Sequence, residues 1–393
     1  MNARIFLVCA AAALAAGPVL AQGPLTPPGA PGPTMKTLEQ VEPRTAITNV
    51  PYTITRSGSY YLAGSLTSAT HGVTIATNGV TLDLMGHALS GDRSGSGYGV
   101  YVYHASGLAL RDVVVRNGSL RGFGHGVWAK LAQSSRFEDL EVSRNLWNGI
   151  LLDGLGGQCN GNAIVRCLLS SNGLAAVYLN GSSGQCDGNR IVQCAIDGNV
   201  DDGVQLNGDS GTCDGNLLAD CAITGNGDMG IYLTSGAGQC KGNRIAGCLV
   251  NRNRDYGIYL YGTSGQVSGN LLAGCTVVSN ASFGIVLNGN AGRCEGNLVV
   301  DCTVGENGGS GIRLNVAAGN RVENNRIYDF GGGTRYGIEC VASTNNIVVA
   351  NSSGGHLYDF SLSVRDIYGP VVTNIGELAT NGVSAHPWAN FSQ

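Results

Sequence analysis

Charge is scarce in this sequence: Asp, Glu, Lys and Arg make up 13% of its 393 residues, against roughly a quarter in an ordinary globular chain. So few charges exclude both a disordered, self-solvating polymer and a basic nucleic-acid binder, and the formal net charge of −4 marks no patch by itself. Long apolar runs are missing beyond residue 21, which leaves no membrane span in the remainder. Room for helices is missing as well, because short apolar pairs alternate with Asn and Gly throughout. A leucine-rich repeat, which needs a Leu scaffold in each unit of roughly 20–29 residues, is excluded because that scaffold is absent. The Gly-rich stretches, such as Gly91 to Gly99, precede no helix, so their GxGxxG-like spacing carries no nucleotide signal.

Glycine is abundant instead, at 62 residues, and much of it is periodic. Gly-Ile/Val strand starts recur every 27 residues at Gly149, Ala176, Gly203, Gly230, Gly257, Gly284 and Gly311. Gly72, Gly99 and Gly126 keep the step upstream of one shorter coil, and Gly337 continues the series. Two asparagine columns share the period: Asn162, Asn189, Asn216, Asn243, Asn270 and Asn297, and Asn145, Asn172, Asn199, Asn226, Asn253, Asn280 and Asn307. A fixed period of this length is the mark of stacked repeats. The unit reads C-x-x-N-x-[IL]-x-x-C-x-[IVL]-x-x-N-x-x-x-G-[IV]-x-L followed by a Gly/Ser-rich loop. Its short apolar segments suit β-strands, and Asn and Gly suit tight corners. Stacking then predicts parallel strands about 4.8 Å apart, with each inward Asn bonding its counterparts above and below.

That register resembles the right-handed parallel β-helix proteins of the pectate-lyase-like superfamily, in which an Asn or an apolar residue often holds the position of the second Cys here. The opening segment, GSYYLAGSLT followed by GVTIATNGVTLDLMGHALSG, resembles their first coil, and the closing PWANF resembles the C-terminus of bacterial members. The resemblance implies an all-β, single-stranded, right-handed parallel β-helix of about eleven coils over residues 60–350. It implies no single activity, since the superfamily holds lyases, hydrolases, epimerases, adhesins and phage tailspikes. Fragments such as Gly124-His125-Gly126 and Asp201-Asp202 match polygalacturonase motifs only in reversed order, and no Asn-Thr-Asp or Arg-Ile-Lys accompanies them.

Outside the solenoid, residues 1–21 read as a secretory signal, with Arg4, an apolar run from Ile5 to Leu14 and cleavage after Ala21. Residues 22–36 form a Pro/Gly-rich linker. Residues 37–59 are expected to cap the N-terminal end, with a short helix from Met35 to Val41, and residues 351–393 to cover the other. The protein is therefore expected in the periplasm, envelope or medium of a bacterium.

Cysteines sit in five C-x7-C pairs: Cys159/Cys167, Cys186/Cys194, Cys213/Cys221, Cys240/Cys248 and Cys294/Cys302. No His accompanies them and the spacing is not that of zinc sites. Paired cysteines in an exported chain predict disulfides, each stapling the Gly/Ser loop of its own coil, with Cys275 and Cys340 outside the scheme. A ladder of buried free thiols is the alternative, supported by Leu140 and Val267 in the same columns.

Function must then come from outward positions. Two residues before the Gly the column runs Trp147, Leu174, Asp201, Asp228, Asp255 and Ser282; the next runs Tyr98, His125, Asn148, Ala175, Asp202, Met229, Tyr256 and Phe283. Between the two apolar residues of the strand lie Tyr101, Trp128, Leu151, Tyr178, Gln205, Tyr232, Tyr259, Val286 and Arg313. Beyond come Tyr103, Lys130, Asp153, Asn180, Asn207, Thr234, Tyr261 and Asn288. Rings, amides and carboxylates along one strand face are the chemistry of a glycan track. Tyr178, Tyr232, Tyr259, Tyr261 and Arg254 are the expected substrate-binding residues. Asp201, Asp202, Asp228 and Asp255 are the expected acid/base residues, and Asp201, Asp228 and Asp255 could hold a Ca²⁺ ion. The expected partner is a polysaccharide or cell-surface glycan, acted on by a lyase, epimerase or hydrolase; a non-catalytic adhesion module and a purely structural envelope solenoid are the competing readings. Outward Tyr and Thr also follow from strand propensity alone, and Asp before Gly is ordinary turn chemistry.

Overall fold

The computed structural model describes residues 43–95, 97–290, 292–330, 336–373 and 383–393. The expected signal, linker and short N-terminal helix lie outside these residues. One coil, Gly203 to Met229, shows how the repeat folds. In its first strand, Val204–Asn207, Val204 and Leu206 point inward while Gln205 and Asn207 stay half-exposed. After the Gly/Ser loop come two strands of one inward residue each, Leu217–Ala219 and Ala222–Thr224. Gly215, Asp220 and Gly225 turn the corners with φ of 63°, 54° and 65°. That left-handed region carries no Cβ penalty for Gly and is tolerated by Asp.

Each strand pairs in parallel with its counterparts one coil away. Val204 lies opposite Val177 and Ile231, Leu217 opposite Arg190 and Arg244, and Ala222 opposite Ala195 and Leu249. The first strands form one sheet of 13, from Tyr52–Ile54 to Tyr358–Ser361, and the other two strands of each coil join a bent sheet of 26. The result is a right-handed parallel β-helix. Eleven of these strands lie within residues 60–350, close to the expected number of coils. The single helical element among the described residues is the 3-10 turn Val383–Ala385, and no helix there is long and apolar enough to cross a membrane.

Inside, Val, Ile and Leu stack in files from Ile47 to Val348. The Asn columns form buried ladders: Asn199 donates through its backbone N–H at 3.1 Å and through Nδ2 at 2.9 Å to Asn226 Oδ1, and Asn226 repeats both bonds to Asn253 Oδ1 at 3.0 and 2.9 Å. The second ladder runs from Asn162 through Asn320 and Asn346 to Asp366. This packing also explains the Gly column, because a Cβ at Gly230 would lie 2.6 Å from Gly257 O and 2.7 Å from Asn253 Nδ2. At the C-terminal end Asn390–Ser392 pairs with Ser352–Gly354, and Asn390 Oδ1 accepts from Asn351 N at 3.0 Å.

The expected disulfides are not formed. All 12 cysteines among the described residues are free and buried, Cys275 and Cys340 included. A strand separates the members of each pair, as Leu217–Ala219 separates Cys213 from Cys221. Each thiol turns instead toward a neighbouring coil: Cys213 Sγ to Leu179 O at 3.8 Å, Cys221 Sγ to Ile191 O at 3.6 Å, and Cys194 N to Cys221 Sγ at 3.4 Å. Two thiol files thus serve as small core residues. Burial pushes Cys186, Cys213 and Cys240 well above the ordinary thiol range and Cys294 up to about 12, so they are protonated and unreactive. Alkylation of unreduced protein is expected to label none of these 12 thiols in the native state and all of them after unfolding. Thiols that stay unlabelled after unfolding would restore the staples.

Candidate functional site

The outward positions of the thirteen-stranded sheet lie in one file, set by strand register alone. Tyr101 pairs with Trp128, Trp128 with Leu151, Leu151 with Tyr178, Tyr178 with Gln205, Gln205 with Tyr232, Tyr232 with Tyr259, Tyr259 with Val286, Val286 with Arg313, and Arg313 with Glu339. At about 4.8 Å per strand, rings in neighbouring places must touch. Tyr232 and Tyr259 stack at 5.5 Å and 11°, Tyr259 and Tyr261 at 5.2 Å and 12°, and Tyr256 reaches Tyr259 at 4.7 Å and Phe283 at 5.7 Å. Tyr259, expected as an open stacking platform, is therefore only 9% exposed, and Asn288 Nδ2 donates to its hydroxyl at 2.8 Å. Tyr232, Tyr256 and Tyr261 carry the accessible ring surface. Tyr178 stands apart from this stack, held through its hydroxyl by Asn207 Nδ2 at 2.8 Å.

Beside these rings the turns preceding the strands bring the carboxylates together. Asp228 N donates to Asp201 O at 3.3 Å and Asp255 N to Asp228 O at 3.1 Å, so the three follow one another coil by coil. Asp201, Asp202 and Asp228 each place a ligand oxygen within 4.8 Å of the others. Asp255 lies one coil further on, outside that group. Asp201 and Asp228 are half-exposed while Asp202 is 3% exposed, its Oδ1 accepting from Met229 N at 3.0 Å. Burial, then the neighbouring Asp201 charge, pushes the Asp202 carboxyl up to about 8. Burial also raises Asp201, Asp228 and Asp255, with Asp255 and Asp201 adding to it at Asp228. Among the described residues no cation pairs with them: Arg254 is exposed and pairs with none of the four.

A second aromatic group occupies the N-terminal part of the same face. His71 stacks on Tyr98 at 4.8 Å, Tyr101 on Tyr103 at 4.9 Å and on Trp128 at 5.0 Å, and Trp128 meets Tyr98 edge-on at 4.8 Å. Trp128 Nε1 donates to Asp153 Oδ2 at 3.1 Å, and Lys130 Nζ lies 5.9 Å over the Trp128 ring. His125 packs against Trp147 and is held down to about 4 by burial, so it stays neutral at physiological pH. Sequence columns name most of these residues but do not single out the group, because its members come from several columns and only side-chain direction joins them.

A family model described as periplasmic copper-binding protein (NosD) matches residues 53–266 and 237–355, most of the chain. No curated protein matches. Among solved structures, the A-module of the Azotobacter vinelandii mannuronan C-5 epimerase AlgE4 is similar at 15% identity and a TM-score of 0.55, covering 80% of this chain and 91% of that one. The A-module of AlgE6 from the same organism is similar at 12% identity and a TM-score of 0.57, covering 89% and 88%. A tailspike protein of E. coli bacteriophage HK620, solved with a pentasaccharide, is similar at 12% and a TM-score of 0.51, covering 80% and 59%. At such identities the likeness fixes the fold alone.

Copper, named by the family description, does not fit the donors present. Copper favours imidazole, thiolate and thioether ligands, whereas the three-residue group found among the described residues is all carboxylate. The thiols are sealed in the core. Fold and family model agree: the chain belongs to the NosD family of right-handed parallel β-helix proteins.

Proposed function

We propose that the protein is exported and binds an extended glycan along the outward face of the thirteen-stranded sheet, with Asp201, Asp202 and Asp228 as a centre for a hard cation such as Ca²⁺. The observation that carries this reading is the placing of ring surface on one parallel sheet beside a carboxylate group in the turns that enter it, with the coil-by-coil stacking holding both in place. Tyr232, Tyr256 and Tyr261 offer faces and edges to sugar rings. Asn207 and Asn288 lie beside them as hydrogen-bonding groups. Carboxylate oxygens suit Ca²⁺, which accepts irregular geometry, and an ion there would supply the positive charge that four neighbouring acids lack. The neighbours named as a mannuronan epimerase and as a tailspike with bound pentasaccharide support a glycan partner.

Acid–base chemistry on that glycan, of the lyase, epimerase or hydrolase type, is a second reading. It is favoured by one observation: Asp202 holds its proton to about pH 8 beside the more open Asp201 and Asp228. Because Asp202 is 3% exposed, its part is to hold a proton beside a reacting neighbour.

A polysaccharide binding and depolymerisation screen, run with and without Ca²⁺, tests both readings. Tyr261→Ala is expected to weaken binding by about 2- to 13-fold, taking the ~0.5–1.5 kcal/mol of an aromatic stack. Asp228→Asn is expected to abolish the Ca²⁺ response while leaving the strand register intact. If neither variant changes binding, Ca²⁺ response or turnover on any glycan the intact protein recognises, the face is ordinary solenoid surface.

A further inference from the structure

On the same face, two strands beyond Tyr259, a cavity of about 380 Å³ opens between successive turns, with Ser282, Phe283, Ser310, Arg313 and Glu339 in its wall. The guanidinium of Arg313 lies 4.9 Å from the centre of the Phe283 ring, a cation–π contact that anchors it beside the cavity. Its acidic neighbour answers it poorly. Glu339 Oε2 stands 3.6 Å from Arg313 Nε, too far for a hydrogen bond, and that oxygen already accepts from Ser310 Oγ at 2.8 Å. Arg313 Nε is buried without a hydrogen-bond partner among the described residues, while the side chain as a whole is 29% exposed. Arg313 lines the cavity, and among the described residues no hydrogen bond holds its terminal Nη groups, which leaves the fork's donors open to a ligand there.

A planar guanidinium fork anchored over a ring is suited to one ligand shape, two coplanar oxygens sharing a negative charge. Phe283 also joins this cavity to the tyrosine stack through Tyr256, so the anion would belong to the same ligand that lies along the rings. We propose that Arg313 seats the carboxylate of a uronic acid unit in the bound glycan; this rests on the glycan reading above and names its substrate class. The face then carries both means of holding an acidic chain, a cation shared with Asp201, Asp202 and Asp228, and a direct arginine fork two coils beyond Asp255.

Calorimetric titration of the full chain with oligomers of galacturonate, mannuronate and glucuronate, and with the same oligomers reduced at the carboxyl carbon to neutral sugars, tests the assignment. At least one uronate series is expected to bind about tenfold more tightly than its reduced counterpart. Arg313→Gln should remove that preference while keeping affinity for the reduced oligomer. Glu339→Gln, which removes the competing acid, should strengthen uronate binding a few-fold, and it carries the test should Arg313→Gln fail to fold. Equal affinity of the intact protein for both series, an unchanged preference in Arg313→Gln, or unchanged or weaker uronate binding in Glu339→Gln overturns the role of Arg313 and leaves the glycan face standing. Binding of neither series overturns the uronate assignment, and the glycan reading is then decided separately by the polysaccharide screen above.

Discussion

Replacing Asn226 by Ala is expected to cost about 2–6 kcal/mol of unfolding free energy, far more than an exposed change such as Val200→Thr one coil earlier, which should stay within about 0.5 kcal/mol. Asn226 is fully buried and its Oδ1 takes both the backbone N–H and the Nδ2 of Asn199. Ala leaves these two donors with no partner in a place water does not reach, and each orphaned group costs about 1–3 kcal/mol. Asn253 loses one donor but keeps the backbone N–H of residue 226. Because each coil touches only its neighbours, the damage should appear first as raised amide exchange in the coils carrying Asn199 and Asn253. Denaturant unfolding with hydrogen exchange checks both; a loss below about 0.5 kcal/mol would show that the ladder is dispensable at this rung.

The same one-dimensional stacking decides what could be read from the sequence. In the regular coils a residue meets its own counterpart 27 positions away, so strand starts, Asn columns and the parallel register are legible as a period. Reading along the chain rather than across it misleads. Cys213 and Cys221 look paired because eight positions separate them, yet the partner of Cys221 in space is Cys194, one period back. Arg254 adjoins Asp255 along the chain yet pairs with none of the acids, whereas Arg313 shares the file of Tyr232 and Tyr259 and walls a cavity. Exposure is harder still to read, since it depends on how far each side chain reaches. Tyr259 belongs to an outward column and is nevertheless covered, because Tyr232 on the neighbouring strand and Tyr261 on its own strand both stack against its ring.

The carboxylate group should make the fold sensitive to pH in a direction opposite to that of most paired acids. Asp202 keeps its proton to about pH 8 in the folded chain, against an ordinary value of 3.8. Between those two values the folded state holds a proton that the unfolded chain has released, so stability is full below about pH 4 and declines as the pH rises toward 8. With each pKa unit worth about 1.4 kcal/mol, and the shift shared with the coupled charges of Asp201, Asp228 and Asp255, the loss should amount to a few kcal/mol. Asp202→Asn keeps the acceptor for the Met229 N–H but has no proton to lose. It should flatten this slope and exceed the intact protein in stability at pH 8, while gaining little at pH 4. Ca²⁺ added at pH 8 should recover much of the same loss in the intact protein, because an ion among Asp201, Asp202 and Asp228 replaces the missing proton with a fixed positive charge. The recovery should be weaker in Asp202→Asn, which has surrendered one ligand oxygen's charge. Melting temperatures at pH 5 and pH 8, with and without Ca²⁺, decide the matter: an unchanged slope in Asp202→Asn means that this carboxyl is ionised like any other, and the turn is then held by geometry rather than by a trapped proton.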